Sequence, residues 1–124
     1  MPRGPGLLRC WIEHHGSASV VYARGEVDLS SAPTLRRCLE RAAVNGRPII
    51  VDLRSVTYLD GTGFRVLEEA YARARDERRS FCVVPSRAVQ RLVRLLRLGD
   101  LFPLSPSMDD ALATCDGGSH CASR

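Results

Sequence analysis

The chain has 124 residues, 44% hydrophobic and 26% charged, with a formal net charge of +4 and a sequence pI near 9.1. That balance suits one globular domain and excludes a disordered segment, because a chain of roughly this length buries about two thirds of its unfolded surface without a disulfide or metal staple. No apolar run approaches the ~20 residues of a membrane-spanning helix, and Leu7-Leu8 ahead of Arg9 is too short for the core of an export signal, so a cytoplasmic protein without a membrane partner is expected.

The first elements read as a hairpin. Leu8, Cys10 and Ile12 alternate with Arg9, Trp11 and Glu13, and His14-His15-Gly16-Ser17 is turn-like. Ala18 to Ala23 then forms a β-branched and aromatic run, and Arg24-Gly25-Glu26-Val27-Asp28 leaves the sheet. A helix follows. Ser31 is placed to cap it, and Pro33 suits its first turn, where a missing N–H costs nothing. Leu35, Cys38, Leu39 and Ala42 give its apolar stripe, and Asn45-Gly46 stops it. Ile49-Ile50-Val51-Asp52-Leu53 has the near-continuous apolar character of a central strand buried on both faces.

Asp60-Gly61-Thr62-Gly63 opens a second helix with Phe64, Leu67, Ala70, Tyr71 and Ala74 inward. Phe81 to Val84 is a strand ended by Pro85. Ser86 caps a third helix with Val89, Leu92, Val93 and Leu96 on one face, Arg87, Arg91 and Arg94 on the other, and Gly99 at its end. Leu101 to Leu104 reads as a short edge strand, and Ser107 caps a last helix through Leu112. The expected fold is α/β, a single domain with a mixed four- to five-stranded sheet and helices packed on it. Its expected bounds are a flexible N-terminus at 1–6, a domain over 7–114 and a flexible tail over 115–124.

Five cysteines, Cys10, Cys38, Cys82, Cys115 and Cys121, are odd in number and widely scattered. That argues against a disulfide framework. The first three lie in apolar segments and read as small buried hydrophobes.

Three segments, in order and at matching spacing over about residues 18 to 114, resemble the STAS family of anti-sigma factor antagonists. Gly25-Glu26-Val27-Asp28-Leu29 with Ala32-Pro33-Thr34-Leu35 is similar to the family's strand exit and first helix. Ile49 to Leu53 followed by Val56-Thr57-Tyr58-Leu59-Asp60-Gly61-Thr62-Gly63-Phe64 is similar to the strand and loop carrying the family's Asp-Ser-Ser/Thr-Gly-Leu motif. Leu98 to Leu104 with Met108 to Leu112 is similar to its closing strand and helix.

The resemblance implies a binding module, not an enzyme. Its implied partner is an anti-sigma factor with a serine-kinase, histidine-kinase-like ATPase fold, and weak homodimerisation stays open. Partner contacts fall on Asp28, Asp60, Gly61, Thr62, Gly63, Phe64 and Arg65. In the family the serine after the motif aspartate accepts a phosphoryl group and binding is lost. That position is Gly61 here, which has no hydroxyl. Thr62 is the alternative acceptor, but a one-residue shift at a helix start turns the side chain by about 100°. An antagonist that binds without phosphorylation at the usual position is therefore expected. A scaffold role in another signalling complex, or a phospho-switch on Thr62, is the alternative.

Other chemistries fit less well. Asp28 and Asp60 as an acid–base pair lack a placed nucleophile, and there is no P-loop or dinucleotide fingerprint, so no catalytic residue or cofactor is expected. Asp52 as a phosphorelay acceptor lacks the lysine such a site needs, for the chain has none. All 18 basic residues counted as Lys or Arg are arginine, which a GC-rich genome explains as readily as anion binding does. The clusters Arg87, Arg91, Arg94 and Arg73, Arg75, Arg78, Arg79 have no interleaved aromatics, so a solvated face is expected rather than nucleic-acid contact. Cys115, His120 and Cys121, even with His14 or His15, match no zinc spacing, and no metal site is expected.

Overall fold

The computed structural model describes residues 7–116. In chain order the elements are β1 (Arg9–His15), β2 (Ala18–Val27), α1 (Ala32–Ala43), β3 (Ile49–Leu59), α2 (Gly61–Asp76), β4 (Phe81–Pro85), α3 (Arg87–Leu95) and α4 (Met108–Asp116). The sheet order is β1-β2-β3-β4; β1 and β2 are antiparallel, while β3 is parallel to both β2 and β4. The expected mixed sheet is present with four strands. The fifth is reduced to one parallel bridge between Val83 and Leu104, closed by Val83 N–H to Pro103 O at 3.0 Å and Ser105 N–H to Val83 O at 2.8 Å. Pro103, with no N–H to offer, sits where a longer ladder would need a donor.

The hairpin turn is tighter than the sequence suggested. His14 and His15 belong to β1, His15 pairs with Ala18, and only Gly16-Ser17 connect the strands. Gly16 takes a positive φ of 59°, as a two-residue turn with glycine first requires. The segment Arg24–Val27 stays in the sheet instead of leaving it. Register shifts between Tyr22 and Arg24 and between Gly25 and Glu26 let β2 bend while Glu26 and Val27 still pair with Tyr58 and Leu59.

Helices cover both faces. On one face α1, α2 and α3 bury Leu35, Leu39, Leu67, Val89 and Val93 against Val21, Val51, Leu53 and Val83. On the other, α4 sets Ala111 and Cys115 on Val20, Ile50, Cys82 and Val84. Burial of one such aliphatic side chain contributes ~1.5–3 kcal/mol, so this double-sided core is the main stabilising term.

Three boundaries differ from expectation for identifiable reasons. Helix α3 stops at Leu95, before Gly99, because Arg97 adopts a positive φ of 56° and takes the left-handed position usually given to glycine. Helix α4, capped by Ser107 Oγ accepting from Asp110 N–H at 3.0 Å, runs to Asp116, not Leu112. Cys115 is therefore a buried helical residue and not the first residue of a tail, since its side chain completes the apolar contact with β2, β3 and β4. The expected flexible segments at 1–6 and from Gly117 onward lie outside the described residues, as do His120 and Cys121.

Candidate functional site: the paired exits of β2 and β3

Val27 and Leu59 end their strands as register partners, and both are almost fully buried. Asp60 N–H donates to Val27 O at 3.1 Å. The parallel strands thus release the Asp28 and Asp60 loops side by side, at one edge of the molecule.

Asp60 is the N-cap of α2. Its backbone is extended, at φ −94° and ψ −174°, and Oδ1 accepts from Gly63 N–H at 3.1 Å. The aspartate, not the neighbouring Thr62 hydroxyl, holds the capping role. Gly61 is the first helical residue and is exposed; Thr62 is half-buried; Arg65 is exposed one turn on. Gly63 and Phe64 face inward. Phe64 is 3% exposed and its ring stacks on Phe102 at 6.3 Å between centroids. Of the residues expected to meet a partner, Phe64 therefore acts through the core, anchoring the helix start beneath the surface.

The two glycines of the motif are not equivalent. A Cβ on Gly63 would lie 2.9 Å from Val27 Cγ1 and closer still to Leu59 Cδ1, so only glycine lets the helix start sit on the ends of β2 and β3. A Cβ on Gly61 would meet nothing within 4 Å, and the backbone there is helical. The fold makes no demand for glycine at position 61.

Asp28 organises the neighbouring loop. Its Oδ1 accepts from Ser30 Oγ at 2.8 Å, Ser30 N–H at 3.0 Å and Ser31 N–H at 3.1 Å, and lies 3.2 Å from Ser31 Oγ. The Ser30 hydroxyl first, then the Ser31 amide, hold the carboxyl below its ordinary range. Ser31 occupies the N-cap position of α1 but makes no side-chain cap; its Oγ turns back to donate to Glu26 O at 2.9 Å and accept from Asp28 N–H at 2.9 Å. Asp28 thus shapes the loop that leads into α1, and the helix start itself has no side-chain cap. Both carboxylates are committed to shaping loops, and Asp28 is held ionised, which does not suit it for proton donation.

Two residues missed in the sequence rim this surface. Leu29 is 76% exposed and Tyr58 is 46% exposed, each next in chain to a strand-exit residue. An apolar residue directly after Gly-Glu-Val-Asp was the available signal. Exposed apolar groups beside a helix N-terminus, whose free N–H groups and positive dipole end favour anionic groups, make a surface suited to a protein partner.

The remaining candidates separate from this site. Asp52 is buried mid-strand and held by Arg54 through Nε to Oδ1 at 3.0 Å and Nη2 to Oδ2 at 2.9 Å. That is a structural ion pair, not an acceptor at a strand end. His14 lies against Ser19 Oγ at 3.2 Å and His15 against Tyr22 OH at 3.1 Å. Among the described residues no group of three or more His, Cys, Asp or Glu is placed to hold a metal, and no helix is long and apolar enough to cross a membrane.

This fold and this motif loop define a STAS domain. The family model for the STAS domain matches residues 11–111, and the chain belongs to that family. Within it, the chain is 29% identical over 110 residues to the anti-sigma-F factor antagonist RsfA of Mycobacterium tuberculosis, with 86% of each chain covered. It also matches the crystal structure of an anti-sigma factor antagonist from Mycobacterium paratuberculosis at 32% identity and a TM-score of 0.80, covering 90% of this chain and 97% of that one. The unphosphorylated form of SpoIIAA shares the fold at a TM-score of 0.66 and 16% identity, covering 88% and 97%.

Proposed function

We propose that this protein is an anti-sigma factor antagonist that binds its anti-sigma factor through the surface formed by Asp28, Leu29, Tyr58 and the start of α2, and does so without accepting a phosphoryl group at position 61. The action is binding rather than catalysis. The RsfA and Mycobacterium paratuberculosis relatives support the antagonist role. The observation that carries the finer reading is the open space around Gly61. A serine fits there, yet the chain has glycine, so the acceptor hydroxyl is missing for no steric reason.

The implied partner is an anti-sigma factor with a kinase-type ATPase fold. A phosphoryl group adds about −1.5 to −2 charge. At this edge it would stand in the same interface as the carboxylates of Asp28 and Asp60, and would oppose binding by repulsion and desolvation. A domain without the acceptor hydroxyl keeps binding while its partner holds ATP. Thr62 carries the only hydroxyl between Asp60 and Phe64 and is half-buried, which makes it the one alternative acceptor in the loop.

The test uses the purified anti-sigma factor with Mg-ATP. The wild-type domain is expected to stay bound and unmodified, and Gly61→Ser to gain phosphate and dissociate. Failure of Gly61→Ser to gain phosphate from a kinase that binds it would show that position 61 does not face the kinase site. Phosphate on Thr62 of the wild type would replace the escape reading with a switch one residue over.

A further inference from the structure

The two edges of the sheet are finished differently. Along β4 the chain around Pro103 takes up the backbone of Val83, with Val83 N–H donating to Pro103 O at 3.0 Å and Ser105 N–H to Val83 O at 2.8 Å. The opposite edge, β1, has no such cover among the described residues. Its inner side pairs with β2 along its whole length without a register shift. In a two-residue hairpin the closing pair, here His15 and Ala18, is hydrogen-bonded, and bonded and non-bonded pairs alternate from there. The N–H and C=O groups of Cys10 and Ile12 therefore point away from the sheet. Proline, a bulge or an inward-pointing charge normally blunts such an edge, and β1 has none of them between Arg9 and Glu13.

We propose that β1 is a self-association edge, along which two copies of the chain pair antiparallel about a two-fold axis at Trp11 and join their sheets. The strand is self-complementary in that register. Arg9 falls opposite Glu13 of the second copy, twice by symmetry; Cys10 falls opposite Ile12; and Trp11 falls opposite itself. Moving the axis to Ile12 sets Arg9 against His15, and moving it to Glu13 sets two carboxylates against each other. Cys10 and Ile12 lie on the α1 side of the sheet, so Arg9, Trp11 and Glu13 share the other face.

The side chains on that face suit the joint. Trp11 is 39% exposed and already stacks on Tyr22, with ring centroids 5.4 Å apart and planes 14° from parallel. In this register the two Trp11 residues form a non-hydrogen-bonded pair, the kind whose side chains stand closer. The indoles meet, and the row of rings runs from Tyr22 through Trp11 into the second copy. Glu13 is drawn toward the middle of the strand by Trp11 Nε1, which donates to its Oε2 at 3.2 Å, and it stays exposed to the incoming guanidinium. Main-chain bonds at Cys10 and Ile12 hold the joint, as in other strand-addition interfaces. The axis sets the two β2 strands antiparallel, so the strand-exit surfaces fall at opposite ends of the doubled sheet and both stay open.

The experiment is sedimentation equilibrium of the full chain from micromolar to millimolar concentration. The apparent mass is expected to rise from 13.7 kDa toward twice that value. The lone tryptophan reports the same transition, because its emission shifts as Trp11 leaves water. Arg9→Glu and Glu13→Arg are each expected to weaken dimerisation by about tenfold, since symmetry makes each substitution act twice. The double variant, Arg9→Glu with Glu13→Arg, rebuilds both ion pairs and is expected to return to the wild-type affinity. Hydrogen exchange on the wild type needs no variant: the amides of Cys10 and Ile12 should slow as concentration rises, while those of Trp11 and Glu13, bonded to β2, should not change. A mass of 13.7 kDa throughout, a dimer indifferent to both single variants, a double variant as weak as the singles, or a dimer in which Cys10 and Ile12 exchange as in the monomer would each overturn the proposal.

Discussion

Gly63 packs so closely under Val27 that a Cβ there would stand 2.9 Å from Val27 Cγ1. The contact joins the start of α2 to the end of β2, and it fixes where the motif loop lies relative to Asp28. Both Val27 and Leu59 on the other side of the glycine are buried to within 1% of full burial, so neither can yield without moving the core. Gly63→Ala is therefore expected to destabilise by ~1–3 kcal/mol through overpacking. Denaturant unfolding measures this, and a change below about 0.5 kcal/mol would show that the core relaxes around the methyl group.

Gly61→Ser is expected to behave in the opposite way. The site is exposed and open, and serine loses less conformational freedom than glycine at a helix start. Stability should stay within about 0.5 kcal/mol of wild type in the same assay. A large loss would mean that glycine is there for the fold, and the functional reading of its missing hydroxyl would fall.

Asp60→Ala removes the side-chain cap from α2 and leaves the Gly63 N–H without its acceptor. The expected cost is ~1 kcal/mol, within the roughly 0.5–2 kcal/mol range of lost N-caps. Hydrogen exchange should localise the change to the first turn of α2. Exchange that rises evenly over the whole chain would argue against a local capping role.

Asp28 predicts an acid-side effect. Its carboxyl titrates below the ordinary aspartate value of about 3.9 because the Ser30 hydroxyl and Ser31 amide stabilise the ionised form. A folded-state value below the unfolded one means the contribution is fully present above the unfolded value and is lost as pH falls through the folded value. Thermal stability of the wild type should fall more steeply than that of Asp28→Asn below about pH 4. A carboxyl NMR titration of Asp28 at or above the ordinary value would contradict the cradle.

Much of this was legible in the sequence because it depends on local pattern. The stripe Leu35, Cys38, Leu39 and Ala42 and the run Ile49 to Leu53 identified a covering helix and a central strand, and both stand. What was not legible depends on neighbours distant in the chain. The β2 bulge that keeps Glu26 and Val27 paired has one local mark, Gly25, whose φ of 118° falls at the register shift, but the pairing itself is set by β3, distant in the chain. Ser31 resembled a cap by residue type, but Asp28 competes for its hydroxyl and its amide. At the candidate site, the loop and its glycine were visible in the sequence; the burial of Phe64 and the exposure of Leu29 and Tyr58 required the packing.

The most direct test is affinity capture by the native protein under Mg-ATP, followed by identification of the retained partner and intact-mass analysis of the bait. The account predicts an anti-sigma factor with a kinase-type ATPase domain, retained on a bait of unmodified mass. Retention of no such protein, or a phosphate on the bait, would contradict an antagonist that binds its kinase and escapes it.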